Sequence, residues 1–190
     1  VMGGSSSING MVYVRGHALD FDEWESLGAT GWNYQNCLPY FNKLENHQCV
    51  TSEYTGSEGP VAISGGNNMR NPLYRAFIDA GVESGYSETE NYNGYRQEGF
   101  GQKFMNVDRG IRASSSYAYL KDTKKRPNLT ILKRALVTKI TFDNKTATGI
   151  EYRLRGQIQN VSARREVILC AGSIGSPHLL QVSGVGPKDK

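Results

Sequence analysis

A stretch of small residues near the front of the chain places the strongest constraint on its fold. Residues 3–7 read Gly-Gly-Ser-Ser-Ser and run directly into the apolar residues Ile8, Met11, Val12 and Tyr13. Glycine permits sharp turns and close approach of another molecule, and serine hydroxyls and backbone N–H groups can donate hydrogen bonds to a polar ligand. Taken alone, such a sequence is typical of a surface turn. Because this one continues into an apolar segment, we expect the loop to lie against the core and to face a ligand.

A second pattern, near the other end, predicts a strand, a tight glycine turn and a helix. Residues 167–170 are a continuous apolar run, typical of a strand buried on both faces. Gly172 follows, and Ser176 and Pro177 are residue types expected at the start of a helix that ends near Gly184. Such a unit places free N–H groups at the end of a buried strand, where ligands bind in open α/β sheets. It is also a generic structural unit, so a binding site and a purely structural element both fit it.

Helix signals dominate the first two-thirds of the chain. Asp20 is the expected N-cap of the first helix. Pro39 predicts a break, with a single turn before it and a new helix starting near it. In the third helix, Leu73, Phe77 and Ala80 line one face. The predicted helices cover residues 20–27, a turn through 37 followed by a helix from about 39, 71–85 with Asn71 and Pro72 at its start, and 114–122.

The pattern changes to short strands in the last third. The sequences Asp-Asn-Lys at 143–145 and Arg-Gly at 155–156 are typical turns between them. Earlier in the chain, residues 61–63 alternate as a short strand does, and the Asn-, Tyr- and Gly-rich residues 89–101 indicate an ordered loop. The predicted fold class is therefore mixed α/β (α+β). The predicted strands of the last third cover residues 129–133, 137–142, 147–154, 158–163 and 166–171.

Composition argues against several functions. The net charge of +4 is mild, and the basic residues are scattered apart from residues 124–126 and 164–165, so we predict no nucleic-acid binding. No apolar run reaches the length of about 18 residues that a membrane helix needs, so no transmembrane segment is predicted and a cytoplasmic or peripherally membrane-associated location is expected. Cys170, within the apolar run, is predicted to be a core residue. Neither a disulfide framework nor a metal site is predicted from the spacing of Cys37, Cys49, Cys170, His17, His47 and His178.

The two end stretches together resemble both signature motifs of the glucose–methanol–choline (GMC) oxidoreductases, which are FAD-dependent alcohol dehydrogenases and oxidases. The first motif matches over residues 3–13 and again at Gly16 and Asp22, and the second matches over residues 172–187. Within the family, the chain is most similar to the members that oxidise choline. The resemblance covers nearly all 190 residues. Between the motifs it continues through residues 31–32, 38–41, 93–95, 97–101 and 126–130.

The resemblance implies that the first motif lies along the flavin. Gly4 and Ser5 would approach the phosphate and ribitol side of the cofactor. The residues that would run beneath the isoalloxazine ring are Asn9, Gly10, Met11 and Val12.

The resemblance also assigns the adenine end and the mode of attachment. Val137 matches the residue whose backbone holds the adenine, and Ala171 and Gly172 match the turn beside the adenosine. Some members carry a histidine at the position of Ile8 and bind FAD covalently through it. Isoleucine cannot form that bond, so non-covalent FAD is expected.

The activity implied by the resemblance is hydride transfer from an alcohol carbon to flavin N5, with choline oxidised to betaine aldehyde. The family's base is a histidine near the C-terminus, and none of the histidines here matches it, so the predicted set of catalytic residues is empty. Two alternatives stay open: a flavoenzyme for another primary alcohol or a sugar, and a non-catalytic binding module. The longer sequence would separate them.

The resemblance further implies an internal fragment of a two-domain FAD-binding oxidoreductase. Residues 1–68 and 109–190 would belong to the FAD-binding domain, and residues 69–108 to the substrate domain. The family's N-terminal strand–GxGxxG–helix unit is absent, and residues 99–104 imitate it only until bulky Phe104. We therefore expect the 190-residue chain to be inactive by itself, and the unpaired edge at residues 167–170 to favour a homodimer or partial disorder.

Overall fold

The computed structural model of the chain describes residues 1–67 and 69–187. The chain divides into two units, Val1–Leu129 and Thr130–Lys190, and each is described by itself. Helices and strands are mixed in both, which confirms the predicted fold class. The predicted division into 1–68, 69–108 and 109–190 stays a prediction, and its first boundary lies at a residue outside the described ones.

The first unit combines three α-helices with two small β-ribbons. Its helices are α1 (Ala18–Ser26), α2 (Tyr34–Leu44) and α3 (Pro72–Glu83). Shorter helical turns lie at Gly4–Ser7, which is a 3₁₀ turn, and at Ser116–Leu120, a π turn within the predicted helix 114–122. The strands β1 (Glu45–His47) and β2 (Val61–Ile63) pair in parallel, and β3 (Val107–Asp108) and β4 (Ile111–Arg112) form an antiparallel hairpin.

Helix α1 begins earlier than predicted. His17 is its N-cap: the imidazole Nδ1 accepts a hydrogen bond from the Leu19 N–H at 3.2 Å. Asp20 lies in the first turn instead, where its carboxylate accepts from the His17 N–H at 2.8 Å. The two residues form a reciprocal capping arrangement, so the prediction of Asp20 as N-cap was wrong by three positions.

Helix α2 runs straight through Pro39, so the predicted break was wrong. A proline within a helix removes one N–H donor and crowds the carbonyl four residues earlier. One local and one tertiary feature oppose that cost here. The Asn33 side chain caps the helix by accepting from the Asn36 N–H at 2.9 Å, and the ring of Phe41 packs edge-on against Phe21 with centroids 5.6 Å apart.

Helix α3 starts as predicted and buries a different face. Its buried residues are Ile78 and Gly81, whereas the predicted face of Leu73, Phe77 and Ala80 is exposed. Periodicity alone does not fix which side of a helix meets its neighbour. Here the neighbour is the loop that follows the helix.

The loop of residues 89–101 is ordered, as predicted. It buries Thr89 and Asn93 and lays the ring of Phe100 against the backbone of Gly81. A Cβ at position 81 would lie 2.4 Å from that ring, so only glycine permits this approach. The first unit's core is therefore assembled from helix, loop and ribbon rather than from one regular layer.

The second unit is an antiparallel meander with one helix packed on it. The strands β5 (Leu136–Asp143), β6 (Thr146–Leu154) and β7 (Gln157–Ser162) pair in chain order, which confirms three of the predicted strands. Arg155 and Gly156 join β6 to β7 with φ values of 52° and 82°, the backbone that a two-residue hairpin turn requires.

Helix α4 (Gly172–Val182) packs on β5. The Ile140 N–H donates to the Ser183 hydroxyl at 2.8 Å, and Ile140, Tyr152 and Leu179 are buried. At the end of the helix, Gly184 takes a φ of 87° and the Val185 N–H bonds back to the Leu180 carbonyl. This is the glycine stop that the sequence predicted.

Two predicted strands, at 129–133 and 166–171, are absent, because neither segment pairs with a strand among the described residues. Ile168 is 75% exposed and Cys170 is exposed, so the prediction of Cys170 as a core residue was wrong. The start of α4 was also misplaced. The helix begins at Gly172, Pro177 lies inside it, and the Ser176 hydroxyl accepts from the Ala171 N–H at 3.0 Å.

Candidate functional site

The glycine–serine stretch forms a tight turn whose outer side is open. Gly3 has a φ of 87°, and a Cβ there would lie 2.4 Å from the Ser7 hydroxyl. The Asn9 N–H closes the turn on the Ser5 carbonyl at 2.8 Å. Gly4, Ser5 and Asn9 are exposed. No residue of the turn is buried, and the expectation that this loop lies against the core and faces a ligand stays a prediction.

The next residues are held along one edge only. The Met11 carbonyl accepts from the Asn106 N–H at 2.8 Å, and the Tyr13 N–H donates to the Phe104 carbonyl at 3.0 Å. Met11 has a φ of 63°, which is uncommon for a side chain of its size. Val12, between them, is exposed. The segment thus presents apolar side chains and backbone on a supported but uncovered face.

Gly10 is an open position of this face. A Cβ built there meets no atom within 4 Å, and its φ lies outside the left-handed region. Neither turn geometry nor packing within the described residues therefore requires glycine at this position. Close approach of another molecule is a remaining reason for a residue without a side chain.

Arg15, which follows the turn in sequence, forms a buried ion pair with Glu45. Arg15 and Glu45 are 5% and 0% exposed. The guanidinium donates to the Glu45 carboxylate from Nε at 2.9 Å and also from Nη2, and the Tyr13 hydroxyl donates to the same carboxylate oxygen. Burial and the neighbouring carboxylate both raise the pKa of Tyr13. Burial by itself would lower the pKa of Arg15, but the bonds to Glu45 and Tyr13 raise it, so the guanidinium stays charged.

Asn93 ties this ion pair to the ordered loop of residues 89–101. Its Oδ1 accepts from the Arg15 N–H at 2.8 Å, and its Nδ2 donates to the Tyr13 carbonyl at 3.1 Å. A single side chain therefore satisfies two backbone groups of the segment that leads away from the turn. Asn93 and Glu45 thus satisfy the backbone N–H and two guanidinium nitrogens of Arg15, whereas its buried Nη1 has no partner among the described residues.

His47 lies beside this buried network but shares no hydrogen bond with it. Its Nδ1 accepts from the Cys49 and Val50 N–H groups at 3.3 and 3.2 Å, and its ring lies edge-on to Phe104 with centroids 4.6 Å apart. Burial lowers the pKa of His47, outweighing the attraction of the Glu45 charge. The imidazole is therefore neutral and serves the fold.

The sequence-based prediction missed Arg15, Glu45 and the network around them. A signal was present, since Tyr13 and Arg15 are two residues apart and share one side of an extended segment. Their acceptor lies thirty residues further on, at the end of α2, and no local pattern points to it. Long-range pairing of this kind is visible only in the fold.

The predicted adenine-side residues lie in the second unit. Val137 is half-buried in β5, where it pairs with Tyr152 of β6. Ala171 and Gly172 are exposed at the start of α4. Gly172 has a φ of 89°, and nothing lies within 4 Å of a Cβ built on it. The turn is open and its backbone favours glycine, as a close-contact site requires.

The first-unit residues fit the contact with FAD that the motif implies. Gly4, Ser5, Asn9, Gly10, Met11 and Val12 lie in one continuous segment. It offers the Ser5 hydroxyl and backbone N–H groups at one end and an apolar face at the other, which matches a ligand with a polar chain and a flat ring. Among residues 1–67 and 69–187, no cluster of His, Cys, Asp and Glu is arranged to hold a metal ion. No helix in these ranges is long and apolar enough to cross a membrane.

Comparison with known proteins assigns the family. The profile described as GMC oxidoreductase matches residues 1–190, and the chain therefore belongs to the GMC oxidoreductase family. It is 59% identical over 189 residues to the oxygen-dependent choline dehydrogenase of Vibrio vulnificus, covering 99% of this chain and 34% of that protein. It is 57% identical over 189 residues to the protein of the same name from Photobacterium profundum, covering 99% and 33%.

Solved structures agree with this assignment. The FAD-dependent oxidoreductase from Chaetomium thermophilum superposes with a TM-score of 0.92 at 32% identity, covering 100% of this chain and 35% of that one. The pyridoxine 4-oxidase from Mesorbium loti gives a TM-score of 0.89 at 33% identity, covering 97% and 36%. The chain thus spans about a third of the length of the curated relatives that it matches.

Proposed function

We propose that this chain is part of an FAD-dependent oxidoreductase that oxidises choline to betaine aldehyde by hydride transfer to flavin N5. The observation that carries the proposal is the identity of 59% and 57% to two proteins named oxygen-dependent choline dehydrogenase over nearly the whole chain. The supported, uncovered face at residues 9–12 is consistent with it. The role of this chain would be to hold the cofactor, and the base that removes the hydroxyl proton would come from elsewhere in the enzyme.

The residues of the first motif would position the flavin ring and exclude water from one of its faces. When bound, FAD would supply the hydride acceptor. Met11 and Val12 would contribute apolar surface, and Gly10 would allow the backbone to approach closely. Ile8 is 76% exposed and carries no nucleophilic atom, which supports non-covalent FAD.

The adenosine end would be held by the second unit. Val137 would contact the adenine through its backbone, and Ala171 and Gly172 would form the turn beside the adenosine. This assignment rests on the family motif and on the open glycine turn at Gly172. A homodimer and a cytoplasmic or peripherally membrane-associated location stay predictions.

Gly10→Ala in the full-length enzyme tests the flavin contact. An added methyl group meets nothing within 4 Å in this chain, so the unfolding midpoint of the cofactor-free protein should not change. A close flavin contact would be obstructed, and FAD occupancy after gel filtration should fall severalfold. The unchanged stability of the apoprotein is the internal control. If Gly10→Ala retains full FAD occupancy, the cofactor does not lie against this residue.

Substrate identity needs a separate assay, because a structural relative at 33% identity is named pyridoxine 4-oxidase. Steady-state turnover of the full-length enzyme should be compared for choline, glucose and simple primary alcohols. We expect kcat/KM for choline to exceed that of every other substrate. A higher kcat/KM for a neutral alcohol or a sugar would refute choline as the substrate but leave the flavoenzyme assignment intact.

A further inference from the structure

Arg112 makes direct contact with the flavin-facing segment, although no sequence motif singled it out. It lies in β4, half-buried. Its Nη1 donates to the Asn9 carbonyl at 2.7 Å, to the Asn9 side-chain Oδ1 at 2.9 Å and to the Ser6 carbonyl at 3.3 Å. One cationic group therefore holds both ends of the turn that precedes Gly10.

This contact fixes the orientation of the Asn9 amide. Oδ1 also accepts from the Met11 N–H at 3.1 Å, so two donors converge on it. An amide group placed between two donors must turn its oxygen to them and its NH₂ away. Asn9 is exposed, and its Nδ2 has no partner among the described residues. Asn9 therefore presents a hydrogen-bond donor on the open side.

We propose that Arg112 is a positioning residue for the cofactor, which acts through Asn9. It orients the Asn9 amide as a donor, and its positive charge is hydrogen-bonded directly to the oxygen of that amide. A donor backed by a cation stabilises negative charge that develops on a bound group. The charge of Arg112 therefore favours the anionic reduced flavin over the oxidised form. This inference rests on the proposed function, because it assumes that FAD lies on this face.

The effects of substitutions at Asn9 and Arg112 on flavin reduction should depend on each other. A carboxylate introduced by Asn9→Asp would pair with the guanidinium and be largely neutralised. The same carboxylate without Arg112 would stand uncompensated beside the flavin. Asn9→Asp should therefore harm flavin reduction far more in an Arg112→Met background than in the wild-type background. A non-additive pair of this kind is what a double-mutant cycle detects.

The experiment uses the full-length holoenzyme in five forms: wild type, Arg112→Met, Arg112→Lys, Asn9→Asp and the double variant Asn9→Asp with Arg112→Met. Arg109→Met is the matched control, because Arg109 is on the same hairpin, its side chain is 82% exposed, and it pairs with Asp108 instead. The flavin midpoint potential is measured by dye-coupled reductive titration. FAD affinity is measured by fluorescence of the released cofactor.

We expect Arg112→Met to lower the midpoint potential and to weaken FAD binding about tenfold, because the Asn9 amide would no longer be held as a donor to the cofactor. Arg112→Lys should retain most of the potential, because the charge remains, while Arg109→Met should change neither quantity. The potential separates an electrostatic role from a purely structural one. Hydrogen exchange of residues 5–11 in the apoprotein provides a readout that is independent of the cofactor, and Arg112→Met should accelerate it.

Three results would overturn the inference. In a wild-type enzyme that binds FAD, an unchanged potential in Arg112→Met, or additive effects in the double variant, would show that Arg112 does not act on the flavin. A full-length wild-type protein that binds no FAD would refute the proposed function and this inference together. The wild-type spectrum therefore tells the two failures apart.

Discussion

Removing the charge of Glu45 should destabilise the first unit strongly while changing almost no volume. Glu45→Gln keeps the side chain's shape, so no cavity forms. It takes away the only carboxylate bonded to Arg15 among the described residues. It also places an NH₂ group among donors from Tyr13, Arg15 and the Gly56 N–H, which donates to Oε2 at 3.2 Å.

The magnitude follows from the burial of the pair. Arg15 and Glu45 are both almost fully inaccessible, so solvent cannot compensate the guanidinium that is left alone. Breaking a buried ion pair by removing one partner costs about 3–5 kcal/mol. With a urea dependence of about 2 kcal/mol per molar, the unfolding midpoint should fall by roughly 2 M. That loss is a large fraction of a typical domain stability of about 5–15 kcal/mol.

The assay is urea unfolding of the chain, followed by tryptophan fluorescence from Trp24 and Trp32 in the first unit. Glu58→Gln is the matched control, because Glu58 is an exposed carboxylate on the segment before β2, and its effect should stay within about 0.5 kcal/mol. Arg15→Met combined with Glu45→Gln should recover part of the loss, because no buried charge remains. Equal midpoints for Glu45→Gln and Glu58→Gln, or additive single effects, would refute the reasoning.

Three further predictions concern pH, packing and cofactor binding. Burial lowers the pKa of His47 in the folded state. As the pH falls below about 6.5, the unfolded state therefore binds a proton at His47 before the folded state does. The free energy of unfolding should then drop by at most about 1.4 kcal/mol per pH unit until the folded pKa is reached. His47→Gln should flatten that slope in pH-dependent urea titrations, whereas exposed His178→Gln should not. Gly81→Ala should cost about 1–3 kcal/mol in thermal unfolding, because its Cβ would lie 2.4 Å from the Phe100 ring. The 190-residue chain, lacking a GxGxxG pyrophosphate turn, should stay colourless after incubation with FAD and gel filtration, and a stoichiometric flavin spectrum would contradict that expectation.

The elements that the sequence predicted well are those whose signals are local. The hairpin turn at Arg155–Gly156 needs positive φ values that few residue types adopt readily, and the stop of α4 at Gly184 needs the same. The cap of α3 at Asn71 is likewise a contact between residues two positions apart. Each of these signals acts within a few residues, and the fold leaves each of them in place.

The errors arise where a partner decides the structure. Pro39 predicts a break on local grounds, but the aromatic packing of α2 on α1 keeps the helix continuous. Residues 167–170 have the composition of a buried strand, yet a strand exists only when another strand accepts its hydrogen bonds. The composition of a segment therefore states what environment would suit it, and the fold determines whether the described residues provide that environment.

The candidate site combines both kinds of information. Its sequence motif specifies small residues at Gly4 and Gly10, but small residues alone leave a loop without a fixed shape. Side chains distant in sequence fix that shape. Arg112 donates a hydrogen bond to Asn9, and Glu45 accepts one from Arg15. Arg112 bonds directly to Asn9 in this loop, whereas Glu45 bonds to Tyr13 and Arg15 in the segment that follows it. A change in either support therefore alters the loop or its attachment without altering Gly4 or Gly10. If FAD lies on this face, as proposed, variants that keep every motif residue but change Arg112 or Glu45 should bind it more weakly.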